Sequence, residues 1–202
     1  MNKKPVIAAF DFDGTITYHD SLLPFLTYAY GSFKTYSKLL TEAPSLIGFA
    51  LGITPRQKAK EAIISSFFKG KNIEEIRKLG KKYAAGKLND IIRPEAKNRI
   101  EWHQKEGHHC VLVSASLDIY LSPWAESLGF KDLICSTLED TNDSVITGRL
   151  KGANCWGPEK IRRLEEVCGP RDEYTLYAYG DSRGDKELLE SADYSFFKSI
   201  PN

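Results

Sequence analysis

The chain has 202 residues, 42% apolar and 27% charged, with 28 basic against 27 acidic side chains and a formal net charge of +1. That balance describes a soluble globular chain able to bury a real core, as one large domain or a core with a smaller insert, and it offers no global field for nucleic acid. The longest apolar run, 46–51, is far short of the ~20 residues a membrane-spanning helix needs.

Residues 1–5 lead straight into a strand with no apolar leader, so nothing marks the chain for export. The first predicted element is that buried strand, Val6-Ile7-Ala8-Ala9-Phe10, which runs into Asp11-Phe12-Asp13-Gly14-Thr15. Period two puts Asp11 and Asp13 on one side where the strand stops. Two like charges there are costly unless a cation joins them, and a divalent ion is the natural partner. From about 20 to 88 the periodicity is helical and no run reads as a strand, so this stretch is expected to be an all-helical insert broken near Gly31, Pro44, Gly52 and Gly70.

From Arg93 onward, strands alternate with helices. The expected series is a helix over 94–106, a strand over 110–113, a helix over 116–128 kinked at Pro123, a strand over 133–136 and one hairpin arm over 145–150. A helix over 158–168, a strand over 174–179, a helix over 183–191 and a strand over 194–197 complete it. This is an α/β pattern: a Rossmann-like, mainly parallel sheet with helices on both faces. The four cysteines, Cys110, Cys135, Cys155 and Cys168, contain no Cys-x-x-Cys pair, so reduced thiols in a cytoplasm are expected rather than zinc ligands or disulfides.

In such a sheet, ligands bind beyond the carboxyl ends of the strands. Those ends carry Asp11 and Asp13, then Ser114-Ala115-Ser116, then Gly180-Asp181-Ser182-Arg183-Gly184-Asp185, with Lys160 in the opening turn of the helix before the last of them. A loop over 152–158 leads into Lys160 and places Asn154 where it would touch a substrate.

In order and placement, Asp11-x-Asp13-Gly14-Thr15, Ser114, Lys160 and Gly180-Asp181-Ser182-x-x-Asp185 resemble the four motifs of the haloacid dehalogenase-like hydrolases. The helical insert resembles the cap of their phosphoserine-phosphatase-like branch, which implies a core of 1–16 and 88–202 and a cap of 17–87. The resemblance implies a Mg²⁺-dependent phosphomonoester hydrolase. Asp11 would attack phosphorus and form an aspartyl-phosphate, and Asp13 would protonate the leaving alkoxide and then deprotonate water. Ser114 and Lys160 would hold phosphoryl oxygens, and Asp11, the Asp13 main-chain carbonyl and Asp181 would ligate Mg²⁺, with Asp185 supporting them from behind.

Other readings of the same residues are weaker. Gly180-Asp181-Ser182-Arg183-Gly184 fits the nucleophile elbow of serine hydrolases, yet in that fold the His follows the Ser, and His19, His103, His108 and His109 all precede Ser182. Dehalogenation would leave Asp13 without a leaving group to protonate. A binding module that kept the fold but lost catalysis would carry clustered carboxylates without compensation. No aromatic-basic motif points to nucleic acid. The histidines and Trp102, Trp124 and Trp156 read as structural or packing residues.

For the substrate, the cap mixes Leu22, Leu23, Phe25, Leu26, Tyr28, Phe33 and Leu39 with Lys34, Lys38, Arg56, Lys58 and Lys60. That mixture fits either ordinary helix packing with a solvated face or an anionic lipid surface. Part of the branch it resembles is similar to phosphatidylglycerophosphate phosphatases, which implies the second, with the protein in the cytoplasm and in peripheral contact with the inner membrane surface through the cap. The favoured substrate is a phosphorylated metabolite or lipid phosphate of apolar or bulky character, with phosphoserine the alternative. Phosphoserine enzymes of this branch show Ser-Gly-Gly where this chain has Ser114-Ala115-Ser116. These residues fix neither the physiological substrate nor the oligomeric state.

Overall fold

In the computed structural model, which describes residues 4–201, the apolar Val6–Phe10 run forms β1 at the centre of a five-stranded sheet. Its neighbours are β2 (His109–Leu117) and then β3 (Asp132–Ser136) on one side, and β6 (Thr175–Gly180) and then β7 (Tyr194–Phe197) on the other, all paired in parallel. Parallel neighbours require long crossovers, and helices supply them. Between β1 and β2 lie α1 (Leu22–Tyr30), α2 (Ser32–Thr41), α3 (Ala43–Ala50), α4 (Arg56–Phe68), α5 (Ile73–Ala85) and α6 (Pro94–Lys105). Helix α7 (Asp118–Ser127) links β2 to β3, α8 (Pro158–Cys168) precedes β6, and α9 (Lys186–Glu190) joins β6 to β7.

Strand period divides the core between the two faces of the sheet. Ala8, Phe10, Leu112 and Tyr179 pack with Ala96 and Ile100 of α6 and Trp124 of α7, while Ile7, Ala9, Val111 and Ala178 pack with Leu164 of α8 and Leu188 of α9. The α/β reading with helices on both faces therefore holds.

Several boundaries differ from the periodicity. β1 stops pairing with β2 at Leu112, but β2 runs on to Leu117 through an irregularity after Val113, and the helix expected from residue 116 starts at Asp118. Ser114 and Ser116 thus lie on strand backbone that has outrun its neighbour. The helix over 183–191 is two pieces, a 3₁₀ turn Arg183–Asp185 and α9, because Ser182 and Asp185 form a reciprocal cap that tightens the first turn. The hairpin arm is β5 (Ile146–Leu150), antiparallel to β4 (Leu138–Asp140) in a separate two-stranded sheet.

Two of the ties between the helical stretch and the rest run backbone to backbone. The hairpin exchanges backbone hydrogen bonds with the α4–α5 turn: Gly70 N–H donates to Ile146 O, Ile146 N–H to Lys71 O and Ile73 N–H to Ser144 O. Helix α7 continues through Pro123, which has no N–H for the Ile119 carbonyl four residues earlier. Gly80 of α5 approaches that carbonyl so closely that a Cβ on it would overlap Ile119. The missing side chain lets α5 and α7 touch backbone to backbone.

Burial along this stretch is uneven. Phe25, Leu26, Phe67, Phe68 and Tyr83 join the main core, so Phe25 and Leu26 are not available to a surface. Helix α2 buries only Thr35, and α3 buries nothing. Among the described residues no helix is long and apolar enough to cross a membrane.

Candidate active site

The carboxyl ends of β1 and β6 open into a cavity of about 380 Å³ lined by Asp11, Asp13, Ser114, Lys160 and Asp181. A wider cleft of about 700 Å³, bordered by Arg77, Ser122 and Glu166, contains none of these groups.

Asp11 is the first residue beyond β1, and its N–H donates to the Tyr179 carbonyl at 3.0 Å, so the sheet itself fixes its backbone. Its carboxylate accepts from Lys160 Nζ at 2.5 Å and from the Thr15 hydroxyl at 3.2 Å. Lys160 is 2% exposed and also donates to Asp185 Oδ1 at 2.6 Å. The other Asp185 oxygen accepts from the N–H groups of Asp181 (3.2 Å) and Ser182 (3.0 Å) and from the Ser182 hydroxyl (2.9 Å). Four accepted bonds fill the capacity of one carboxylate. Asp185 therefore positions Lys160 and the Asp181 loop. Ser182 is consumed in this cap, which leaves no role for it as a hydrolase nucleophile.

Oxygen atoms of Asp11, Asp181 and Asp185 lie within 4.8 Å of one another. The Asp-x-Asp-Gly turn and the Asp181 loop meet at Gly14, whose φ is +78°, and a Cβ there would overlap the Asp181 carboxylate. Glycine meets both demands, a left-handed backbone and a close approach.

Asp13 faces a different environment. Its Oδ1 accepts from Ser21 N–H at 2.8 Å and its Oδ2 from the Ser116 hydroxyl. Ser21 Oγ in turn lies 3.3 Å from Ser116 Oγ and donates to Tyr120 OH at 3.1 Å. The backbone has left the strand by Asp11, so strand period does not govern the pair, and the two carboxylates meet separate partners.

Burial dominates the electrostatics. It lifts the Asp11 carboxyl to about 7, with Lys160 opposing the rise and Asp185 adding to it. Burial, then the charge of Asp20, lifts Asp13 to about 6 against the hydrogen bonds from Ser116 and Ser21. For Lys160, burial alone favours the neutral amine, yet Asp11 and Asp185 together hold its ammonium above the ordinary lysine range. Asp181 is raised by burial and then by Asp185.

Ser114 is buried and accepts from Ser116 N–H at 3.0 Å on the cavity wall. Asn154 lies elsewhere. Its carboxamide oxygen accepts from Lys60 Nζ at 3.0 Å and Ser136 Oγ at 2.9 Å, and it lines a side pocket of about 180 Å³ with Leu46, Phe49, Lys60 and Ile63. Asp13, Asp20, Arg56 and Ala115 border both cavities, so the side pocket opens toward the Asp13 carboxyl.

Sequence reading missed four contributors. Lys60, which also donates to the Ala115 carbonyl, is lowered to about 8 by burial, with Asp13 and Asp20 opposing. Its spacing of four from Arg56 put both on one helix face, but nothing local marked that face as inward. Ser21 and Tyr120 meet Asp13 only through folding. Trp156, read as packing, stacks under the Arg56 guanidinium at 4.7 Å on the cavity rim. His103 is structural as expected: it is fully buried, bonded to Tyr179 OH and His108 at 2.8 Å each, and held neutral.

The haloacid dehalogenase-like hydrolase family model matches residues 8–190. Protein CicA of Caulobacter vibrioides is 36% identical over 204 aligned positions that cover 100% of this chain and 90% of CicA. A protein of unknown function from Bordetella pertussis superposes with a TM-score of 0.81 at 20% identity, covering 94% of this chain and 87% of that one. A phosphoserine phosphohydrolase-like protein from Francisella tularensis gives 0.66 at 17% identity, over 96% and 85%. At those identities the two structures show the fold alone. With the family model spanning almost the whole sheet and the motif residues gathered at its carboxyl edge, the chain belongs to the haloacid dehalogenase-like hydrolases.

Proposed function

We propose that the protein is a Mg²⁺-dependent phosphomonoesterase acting through an aspartyl-phosphate. The observation that carries this is the pairing of one buried carboxylate, Asp11, with a buried ammonium, Lys160, beside a second carboxyl, Asp13, that is held by different partners, Ser21 and Ser116. Two carboxyls with different environments suit two roles.

The donor set suits Mg²⁺. Asp11, Asp181 and Asp185 supply hard oxygen atoms within 4.8 Å, and Lys160 neutralises only one of their three charges. Asp11, the Asp13 main-chain carbonyl and Asp181 would hold the ion. When bound, Mg²⁺ supplies charge neutralisation that lets an anionic nucleophile approach an anionic ester.

The rest falls to the chain's own residues. A carboxylate oxygen of Asp11 bonds to phosphorus as the ester P–O bond breaks, and Asp13 gives its proton to the departing oxygen. Asp13, now a carboxylate, takes a proton from water as that water displaces Asp11 from phosphorus. Lys160 keeps Asp11 oriented and, with Ser114, steadies the phosphoryl oxygens. The helices of 17–87 act as a cap over the cavity. The apolar side pocket beside Asp13, with Lys60 and Arg56 at its rim, favours an apolar or bulky phosphomonoester, of metabolite or lipid origin, over phosphoserine.

The test is turnover of p-nitrophenyl phosphate by the purified chain. Chelator should abolish it, Mg²⁺ should restore it, and radiolabelled phosphate should be trapped at low pH in a form that hydroxylamine releases. Full activity in excess chelator would overturn the metal role, and absence of trapped label in Asp13→Asn, which should slow breakdown of the intermediate, would overturn the covalent one. If phosphoserine exceeds every bulky phosphate in kcat/KM, the substrate reading fails while the mechanism stands.

A further inference from the structure

Helix α3 is built for a buried position and does not occupy one. Its sequence, Ala43–Ala50, has no charged residue, yet it buries none of its side chains. A helix that is apolar around its circumference normally lies inside a protein or against a membrane. One face does have a use: Leu46 and Phe49 line the side pocket. The other does not.

An outward apolar face recurs on α2. Glu42 joins the two helices, its N–H donating to Lys38 O at the end of α2 and its carbonyl accepting from Leu46 N–H at the start of α3. Residues 33, 36 and 40 fall on one stripe of α2 at helical spacing, and residues 47 and 51 on one stripe at the end of α3. All five are exposed and apolar or aromatic: Phe33 is 90% exposed, Leu40 74%, Leu51 68%, Ile47 58% and Tyr36 54%. Ile53, just past α3, is exposed as well. Scattered exposed hydrophobics are ordinary, but this many on two consecutive helices mark an interaction surface.

The charges around these residues select the occupant. Over 32–58 the acid Glu42 stands against the basic side chains Lys34, Lys38 and Lys58, with Arg56 turned to Trp156 at the cavity rim. Lys71 joins from the α4–α5 turn: burial first and then the charges of Lys34 and Lys38 lower its pKa against Glu75, and Lys34 and Lys71 both lie against the Tyr30 ring. Apolar residues bordered by lysines match the acyl–headgroup boundary of an anionic bilayer. A second copy would oppose lysines with lysines.

We propose that the outward face of α2 and α3 docks on an anionic lipid surface, which sets the side pocket's wall against the bilayer. The docking stands without the phosphomonoesterase reading; that reading adds only that a substrate held at the lipid surface would be the one presented to Asp13.

Flotation of the full chain with vesicles separates the two claims, because it needs no turnover. The chain should float with phosphatidylcholine–phosphatidylglycerol vesicles, float much less with pure phosphatidylcholine, and release as salt rises. A Phe33→Ser, Leu40→Ser, Ile47→Ser variant should lose binding about tenfold or more while melting temperature and p-nitrophenyl phosphate turnover stay put. Should that variant not fold, Lys34→Gln with Lys58→Gln gives an independent arm with a loss of about tenfold. Failure to float, equal binding to neutral vesicles, or variants that bind as the parent would overturn the proposal. A dimer that the triple variant dissolves would also overturn it, by assigning the face to a second copy.

Discussion

The floor of the cavity and its helical wall are held in opposite ways. On the floor the groups around Lys160 are locked from several directions: Lys160 spans two carboxylates, Asp185 spends four acceptor sites on its neighbours, and the backbone of Asp11 is bonded to β6. On the wall, α3 buries nothing and α2 buries one threonine. For the function proposed above, the difference teaches how reaction and selectivity would be divided. Chemistry that tolerates little displacement would sit on strand ends with over-determined geometry. Recognition of the leaving group would fall to the helices packed through α5 and the hairpin, where side chains can change without disturbing the floor.

The sharpest way to break this division is at Asp11, the nucleophile proposed above. Asp11→Asn keeps the volume and the Thr15 contact but removes the attacking oxygen's charge, and turnover should fall about a thousandfold or more with melting temperature little changed. Near-normal steady-state turnover would mean the floor does not carry the reaction. Next in size is Lys160→Met, which leaves Asp11 and Asp185 facing each other in a buried space without their shared cation. A loss of about 3–5 kcal/mol in denaturant unfolding is expected. A loss below about 1 kcal/mol, the size of a surface ion pair, would show that the floor is less closed than its geometry indicates.

Gly80→Ala probes the joint between the two regions. A Cβ there meets the Ile119 carbonyl and has to push α5 off α7, at a cost of about 1–3 kcal/mol. Because Gly80 lies away from the floor, the affinity for activating Mg²⁺ should not change; if it does, wall and floor are coupled more tightly than described.

The last effect is a slope. Burial, then Arg99 and His108, hold His103 down from 6.5 to about 3, so between those values the unfolded chain takes up a proton that the folded chain refuses. Stability should fall as pH drops below about 6.5, by up to ~1.4 kcal/mol per unit from this group, and His103→Gln should flatten that part of the curve. An unchanged acid slope in urea titrations of the variant would remove His103 from the account.

The amino-acid sequence determined the strand ends and, through them, the floor. Short-range signals sufficed: an apolar run broken by Asp11-x-Asp13-Gly14, glycine just past helices such as α7 and α8, and the order in which Ser114, Lys160 and Asp181 follow. Parallel topology then leaves those residues few places to go other than one sheet edge. Other features were decided only in three dimensions. Whether Lys60 points inward depends on the wall that α4 packs against, and Asn154 turned to Lys60 and Ser136 because the hairpin brings its loop to α4. The partners of Asp13 come from residues 21 and 116, far apart in the chain, and no local pattern announces a bond across that distance. Nor does amphipathic periodicity tell an apolar stripe that enters the core, as at Phe25 and Leu26, from one that stays outside, as at Leu40 and Ile47. Period reports which residues share a face; only packing says what that face meets.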